Sequence, residues 1–330
     1  MRIVTLAEFE RLADVYDQSV CATPNISPVC SSSDWILSAH RWLHGKREAV
    51  IATDDAGNWV VFARYREDGY EIWEALESFW GFTLSVIGPD VDAGINMMRT
   101  LVGATELGDG FGIEKRFVRV SGVPCGSELE VLLRGLAWRK DFEFPGVESM
   151  EVDLSGGVDG YLESQTRKFR RNVRRSESQR VAGSLEYEVA DESDVGETFA
   201  RMLEIEKRGY KQREGMGIFD NARFVEFYRE LAIKASSRGE LRAIFVLDAG
   251  RDVAYIFGRA MAGSYRGWQM SYDEDYTAFG IGNLLQLENM RHVHSLGVRR
   301  YDLGMYSDYK GKWATGGVES VVLCGLHLLG

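Results

Sequence analysis

The chain has 330 residues, 45% hydrophobic and 27% charged, with a formal net charge of -11. That length predicts two domains at about 150 residues each, and the acidic balance excludes nonspecific nucleic-acid binding by the whole surface. No stretch reaches the roughly 20 apolar residues that span a bilayer, residues 1–8 lack the apolar run and cleavage site of a signal peptide, and the four cysteines and five histidines form neither C-x-x-C nor H-E-x-x-H. The expectation is a cytoplasmic protein with no metal and no membrane or DNA partner.

In the first half, residues 2–4 read as a short strand and 6–16 as a helix with apolar positions at Phe9, Leu12, Ala13 and Tyr16. Ser33-Asp34 is expected to cap a helix carrying Trp35, Ile36, Ala39 and Trp42. Strands at 49–52 and 59–63 meet across Asp54-Asp55-Ala56-Gly57, a hairpin-type turn, and a third strand at 70–74 follows Asp68-Gly69. A helix around 95–101, a strand at 117–120, a helix at 128–136 and a strand at 147–154 close this half. Two adjacent glycines after a strand punctuate it, so Ser155-Gly156-Gly157 is the expected linker between domains 1–155 and 156–330.

The second half repeats the order of elements. A strand at 185–189 precedes helices at 195–208 and 223–235, and a strand at 241–246 turns at Asp248-Ala249-Gly250 into one at 253–257. That turn matches Asp55-Ala56-Gly57, and Gly263-Ser264-Tyr265 falls where Gly69-Tyr70 fell. Two copies of one fold account for this. Mixed sheets covered by helices place both copies in the α+β, or mixed α/β, class.

From Trp268 to Lys310 the pattern is strand, glycine turn, helix and second strand, with a lysine beyond. The first N–H groups of a helix that starts at a glycine turn lack intrahelical partners and favour an anion such as a phosphate. Gly280, Ile281, Gly282 and Asn283 are therefore candidate anion-binding residues. The corresponding stretch of the first half, Asp92-Ala93-Gly94-Ile95-Asn96, carries a carboxylate that satisfies the helix dipole and repels phosphate. The first copy accordingly reads as a degenerate scaffold and acceptor wall. The basic run from Thr166 to Arg175 places Arg167, Arg171 and Arg174 on one face of a helix that Asp159 is expected to cap, and a positive face in an acidic protein suits phosphates. For proton transfer, Asp273 follows the first strand and Asp302 lies in the second, while Tyr272 and Tyr309 are alternative acids or bases.

The repeated element order resembles the GCN5-related N-acetyltransferase (GNAT) fold. Its duplication resembles the FemABX peptidyltransferases and a bacterial acetyltransferase group named after a cellulose-biosynthesis protein. Lys168, Arg171, Val173, Arg174 and Arg175 are similar to the basic helix that leads into the second domain of those relatives, and Ile281-Gly282-Asn283-Leu284-Leu285 is similar to their small-residue-Gly-Asn-Leu-Leu sequence. Tyr309-Lys310-x-x-Trp313 resembles the aromatic-Lys-x-x-aromatic motif of FemABX-like enzymes, whose lysine lies at the acyl-transfer centre. The chain departs from the family's basic-x-x-Gly-x-Gly form at Thr277.

The resemblance implies an N-acyltransferase with acetyl-CoA or another acyl-CoA as cosubstrate, held by Gly280 to Asn283 with Arg171 and Arg174. It implies a small-molecule or peptide amine as acceptor. Lys310 would stabilise charge on the carbonyl oxygen. Two alternatives stay open: an aminoacyl-tRNA-dependent aminoacyltransferase whose basic helix meets tRNA phosphates, and a catalytically inactive binding module.

Overall fold

The computed structural model describes residues 1–104, 115–136, 138–209 and 220–328. They fall into two compact units, Met1–Ser149 with Val318–Gly330, and Met150–Gly317. Among the described residues no helix is long and apolar enough to cross a membrane.

The first unit holds β1 (Arg2–Val4), β2 (Glu48–Thr53), β3 (Trp59–Glu67), β4 (Tyr70–Glu74), β5 (Val86–Ile87), β6 (Lys115–Pro124), β7 (Lys140–Pro145) and the C-terminal β15 (Ser320–Leu328). They form one sheet in the order β1-β2-β3-β4-β6-β15-β7, with β5 on β3. Its pairs are antiparallel except β4 with β6, which is parallel. The helices are α1 (Leu6–Arg11), α2 (Ala13–Ala22), α3 (Pro28–Ser31), α4 (Ser33–Leu43), α5 (Val91–Gly103) and α6 (Glu128–Arg134). The single helix expected at 6–16 is two, broken at Leu12 after a Thr5–Glu8 capping box. For α4 the cap is Ser32, whose hydroxyl accepts from the Trp35 N–H, and Asp34 is buried within the first turn.

The second unit holds β8 (Ser149–Asp153), β9 (Glu186–Val189), β10 (Leu241–Asp248), β11 (Arg251–Met261), β12 (Ser264–Tyr272), β13 (Arg300–Met305) and β14 (Gly316–Val318), in the order β14-β8-β13-β12-β11-β10-β9. Its helices are α7 (Gly157–Ser164), α8 (Arg167–Ala182), α9 (Val195–Glu206), α10 (Ala222–Ser237), α11 (Ile281–Ser295) and α12 (Asp308–Gly311). Strands β9 to β12 run antiparallel, and β12 pairs with β13 in parallel. Helix α11 buries Leu287, Met290 and Val293 in one core with Tyr265, Tyr301 and Trp313, and Ile281 and Leu285 in a second with Ile244 and Ile256. Each such aliphatic side chain contributes about 1.5–3 kcal/mol on full burial, which fixes the helix against the sheet.

The repeat is real in three dimensions. Both sheets carry an antiparallel run that ends in one parallel pair, and the two Asp-Ala-Gly turns close equivalent hairpins, β2 to β3 and β10 to β11. Gly57 and Gly250 sit there at φ 87 and 80, a region glycine occupies without a Cβ penalty.

The division differs from the expected boundary at 155/156. Strand β8, expected to end the first domain, lies in the second sheet, and β15 lies inside the first sheet between β6 and β7. Alternation shows that a segment is extended, not which edge it joins, so the exchange is invisible locally. Strand β7 was not expected. It is a fully exposed edge strand whose Lys140-Asp141-Phe142-Glu143-Phe144 carries no buried stripe.

Truncation after Gly317 should remove a strand that is bonded on both sides, Val321 to Val123 and to Pro145 among its pairs. Hydrogen exchange is expected to show lost protection in β6 and β7 while β10 to β12 keep theirs. Equal protection in the truncated chain would contradict the central placing of β15.

Candidate functional site

Strands β12 and β13 pair at only three positions, Ser264 with Arg300, Tyr265 with Tyr301, and Arg266 with Asp302. Beyond them β12 stays bonded to β11 as far as Tyr272 while β13 leaves it. The last pair is a buried ion pair, Arg266 Nη1 to Asp302 Oδ1 at 2.6 Å, and the Gly304 N–H donates to the same oxygen at 2.8 Å. Where the strands part, a cleft of about 700 Å³ opens, walled by β12, the end of β13, the start of α11, one face of α8, and α12. That volume lies in the range of small-molecule sites.

Helix α11 starts at Gly280, which is left-handed at φ 64, has no side-chain cap and is followed by no acidic residue in the first turn. The N–H groups of Asn283 and Leu284 return to the Gly280 carbonyl at 2.9 and 3.4 Å. Those of Ile281 and Gly282 precede the first intrahelical bond and stay available to a ligand. Glycine is required at 280 for a second reason: a Cβ would lie 2.4 Å from Ser176 Oγ on α8. The equivalent helix of the first unit, α5, is closed by its own chain, because Asp90 Oδ1 accepts from the Ala93 N–H at 2.9 Å. The capping carboxylate is thus Asp90, with Asp92 in the first turn.

Of the residues expected from sequence, Gly280, Ile281, Gly282, Asn283, Tyr272, Asp302, Tyr309 and Lys310 line this one cleft. The Tyr309 hydroxyl donates to the Gly282 carbonyl at 2.9 Å and ties α12 to the glycine turn. Burial first, and the neighbouring Tyr272 second, push the Tyr309 phenol well above its usual range, so it stays protonated at neutral pH. Gly304 stands at φ 86, and a Cβ there would lie 3.0 Å from Arg266 Nη2 and 3.3 Å from Lys310 Nζ. Two cations therefore flank one glycine at the end of β13.

Three expected residues lie elsewhere. Asp273 does not line the cleft. Its carboxylate is held by Arg208 at 3.1 Å and by Arg251, and accepts from the Asp275 N–H at 3.2 Å, so it closes a turn. Arg171 and Arg174 are exposed and outside the cleft wall, to which α8 contributes Phe169, Asn172 and Val173 instead. Asp159 caps nothing on that helix: it sits in α7, and α8 starts afresh at Thr166, whose Oγ1 accepts from the Phe169 N–H at 3.2 Å. Sequence reasoning did not single out Arg266, Asn172, Gln269 or Lys312. Arg266 becomes meaningful only through its register with Asp302, and Gln269 through its 3.2 Å bond to the Tyr228 hydroxyl. Among the described residues no side-chain group suited to a metal ion occurs.

Residues 164–311 match the family of acetyltransferase (GNAT) domains. No curated protein matches the sequence. Among solved structures, a conserved protein of unknown function from Bacteroides thetaiotaomicron superposes with a TM-score of 0.66 at 13% identity, covering 98% of both chains. FemX superposes with a TM-score of 0.65 at 12% identity, covering 98% of this chain and 97% of its own. At these identities the likeness is one of fold.

Gly280→Ala should lose about 1–2 kcal/mol from the left-handed backbone alone, and more from the Ser176 clash. Adding Ser176→Ala should recover only the clash, so urea denaturation of the single and double variants is expected to give a non-additive cycle. Tyr309→Phe should cost about 1 kcal/mol for the lost bond to Gly282. Because the folded phenol titrates above the unfolded one, its contribution is full below the ordinary tyrosine value near 10 and fades as pH rises past it. Denaturation midpoints of wild type and variant should therefore converge in alkali.

Proposed function

We propose that this chain, whose residues 164–311 match the acetyltransferase (GNAT) domain family, is an N-acyltransferase moving an acyl group from an acyl-CoA, acetyl-CoA in the simplest case, to an amine. The observation that carries the reading is the uncapped start of α11 at the mouth of the β12–β13 cleft, against the Asp90-capped start of α5. Free N–H groups at a helix start bind phosphate through both hydrogen bonds and the helix dipole. The donor's pyrophosphate would meet the Ile281 and Gly282 N–H groups. Its thioester arm would run along β12 past Arg266, where the edge facing β13 is unpaired and offers backbone donors and acceptors.

Lys310 is assigned to the reacting carbonyl. As the amine nitrogen bonds to the carbonyl carbon, charge gathers on the oxygen, and a preorganised cation there stabilises the transition state. The C–S bond then breaks and sulfur leaves as thiolate. Nitrogen releases one proton to water in the open cleft, and the thiolate takes one from water. Tyr309, whose O–H already serves Gly282, positions the turn. Asp302, engaged by Arg266 and the Gly304 N–H, positions Lys310 through the end of β13 rather than acting as a base.

The first unit is assigned a scaffold role without a donor site. At its corresponding place lies a pocket of about 170 Å³, bordered by Asp90 and Glu128. Where Ser307 caps α12 and Lys310 follows, Ser127 caps α6 and Glu130 follows. A second reading, transfer from aminoacyl-tRNA, draws on the exposed Arg167, Lys168, Arg171, Arg174 and Arg175 of α8, none of which forms an ion pair among the described residues.

Acetyl-CoA should raise the melting temperature, by mass action equivalent to about 2.7 kcal/mol at a hundredfold excess over Kd. Lys310→Ala should lower turnover by about 10²–10³ with donor binding kept. No shift with any CoA ester, together with salt-sensitive tRNA binding, would move the assignment to the second reading.

A further inference from the structure

The glycine turn brings no cation of its own. Thr277, Gly280, Ile281, Gly282 and Asn283 line the cleft, and all are uncharged. A helix start offers only about half an elementary charge, whereas a pyrophosphate carries more than one negative charge at neutral pH. A cation from elsewhere in the wall is needed to balance it, and Lys310 is placed at Gly304 beside Arg266.

Lys312 remains. It lines the same cleft, is exposed, and forms no ion pair with a described residue. It continues α12 in helical conformation at φ -74, ψ -24. At about 100° per residue, its side chain leaves the helix about 60° from that of Tyr309 and about 160° from that of Lys310. Tyr309 points at the Gly282 carbonyl, so Lys312 emerges on the side of the glycine turn while Lys310 emerges towards β13. Its backbone is held by the next residue: Trp313 is buried edge-on against Phe169 of α8 at 4.9 Å, and its carbonyl accepts from the Tyr161 hydroxyl at 2.7 Å. One turn along α8 from Phe169, Asn172 reaches the cleft, and one turn further Ser176 lies beneath Gly280.

We infer that Lys312 is a donor-binding residue that supplies, from the segment after β13, the cation absent from the glycine turn, meeting the donor's phosphates opposite the Ile281 and Gly282 N–H groups with Asn172 beside it. The inference rests on the acyl-CoA reading. Lys312 takes no part in bond making, and its role is specificity for a phosphorylated donor.

The test pairs two donors, acetyl-CoA and S-acetylpantetheine, which carries the same thioester arm and no phosphate. Lys312→Ala and Lys312→Gln should each raise the Kd and KM for acetyl-CoA about tenfold, the effect of one charge-assisted hydrogen bond, with kcat unchanged. Lys312→Arg should retain affinity, and kcat/KM with S-acetylpantetheine should be the same in wild type and all variants. Equal losses with both donors, or a change confined to the KM of the amine, would overturn the assignment by placing Lys312 at the acyl group or the acceptor. Wild-type binding of acetyl-CoA with no change in Lys312→Ala overturns this inference alone. Failure of wild type itself to bind acetyl-CoA removes it together with the acyl-CoA reading.

Discussion

The Arg266–Asp302 pair sits where two strands stop being neighbours, and the geometry of the cleft follows from it. Both side chains are buried. Removing two charges from water offsets much of their attraction, so such a pair adds little net stability over apolar residues of the same size, while breaking it by deleting one partner costs about 3–5 kcal/mol. What it adds is direction. It ends the parallel register at one residue pair, and its carboxylate also takes the Gly304 N–H, which bends β13 away through a left-handed glycine. The same glycine leaves room, where a Cβ would stand, for the Lys310 ammonium and the Arg266 guanidinium. An aliphatic pair at 266 and 302 would hold the strands together without fixing where they separate or what stands at the fork.

The two units share one architecture and differ in a few charged and capping side chains at the helix start and the following turn. In the second unit the helix at the fork begins with a glycine and no cap, and the residue three beyond the next serine cap is Lys310. In the first unit the helix is capped by Asp90, and the residue three beyond the serine cap is Glu130, whose carboxylate accepts from the Gly126 N–H and pairs with Arg134. Inverting the sign of the charge at the helix start and at the following turn reverses the preference for phosphate. The two units therefore share the order of their sheets and differ at the helix start, uncapped at Gly280 in one and capped by Asp90 in the other.

Features encoded within a few residues were legible in the sequence. The Asp-Ala-Gly hairpins, the helix at Gly280 and the strands on either side of the cleft each depend on local backbone preference or short-range alternation, and each is where the pattern put it. Assignments that depend on a distant partner were not legible. Asp273 and Asp302 look alike as carboxylates near strand ends, and only the arginines around them separate a turn-closing residue from one in the cleft wall. The basic run was expected to bring Arg171 and Arg174 to the donor on a helix capped by Asp159, yet α7 ends at Ser164, α8 starts at a Thr166 cap, and Asn172 and Val173, not the two arginines, reach the cleft. A one-residue difference of 100° around a helix decides which side chain meets a ligand.

The exchange of β8 and β15 carries a consequence for how the chain reaches this state. The second unit is contiguous from Met150 to Gly317, so every strand of its sheet is present once that stretch is made. The first unit is not contiguous, since Val321 of β15 must find Val123 of β6 across the whole second unit. Pairings of such sequence separation form late, because the loop must close before any contact rewards it. The unit that holds the cleft can thus complete its own sheet while the first unit still waits for its last strand. The glycine turn, the ion pair at the fork and Lys310 all lie within the contiguous segment, so their placement does not depend on β15 joining the first sheet.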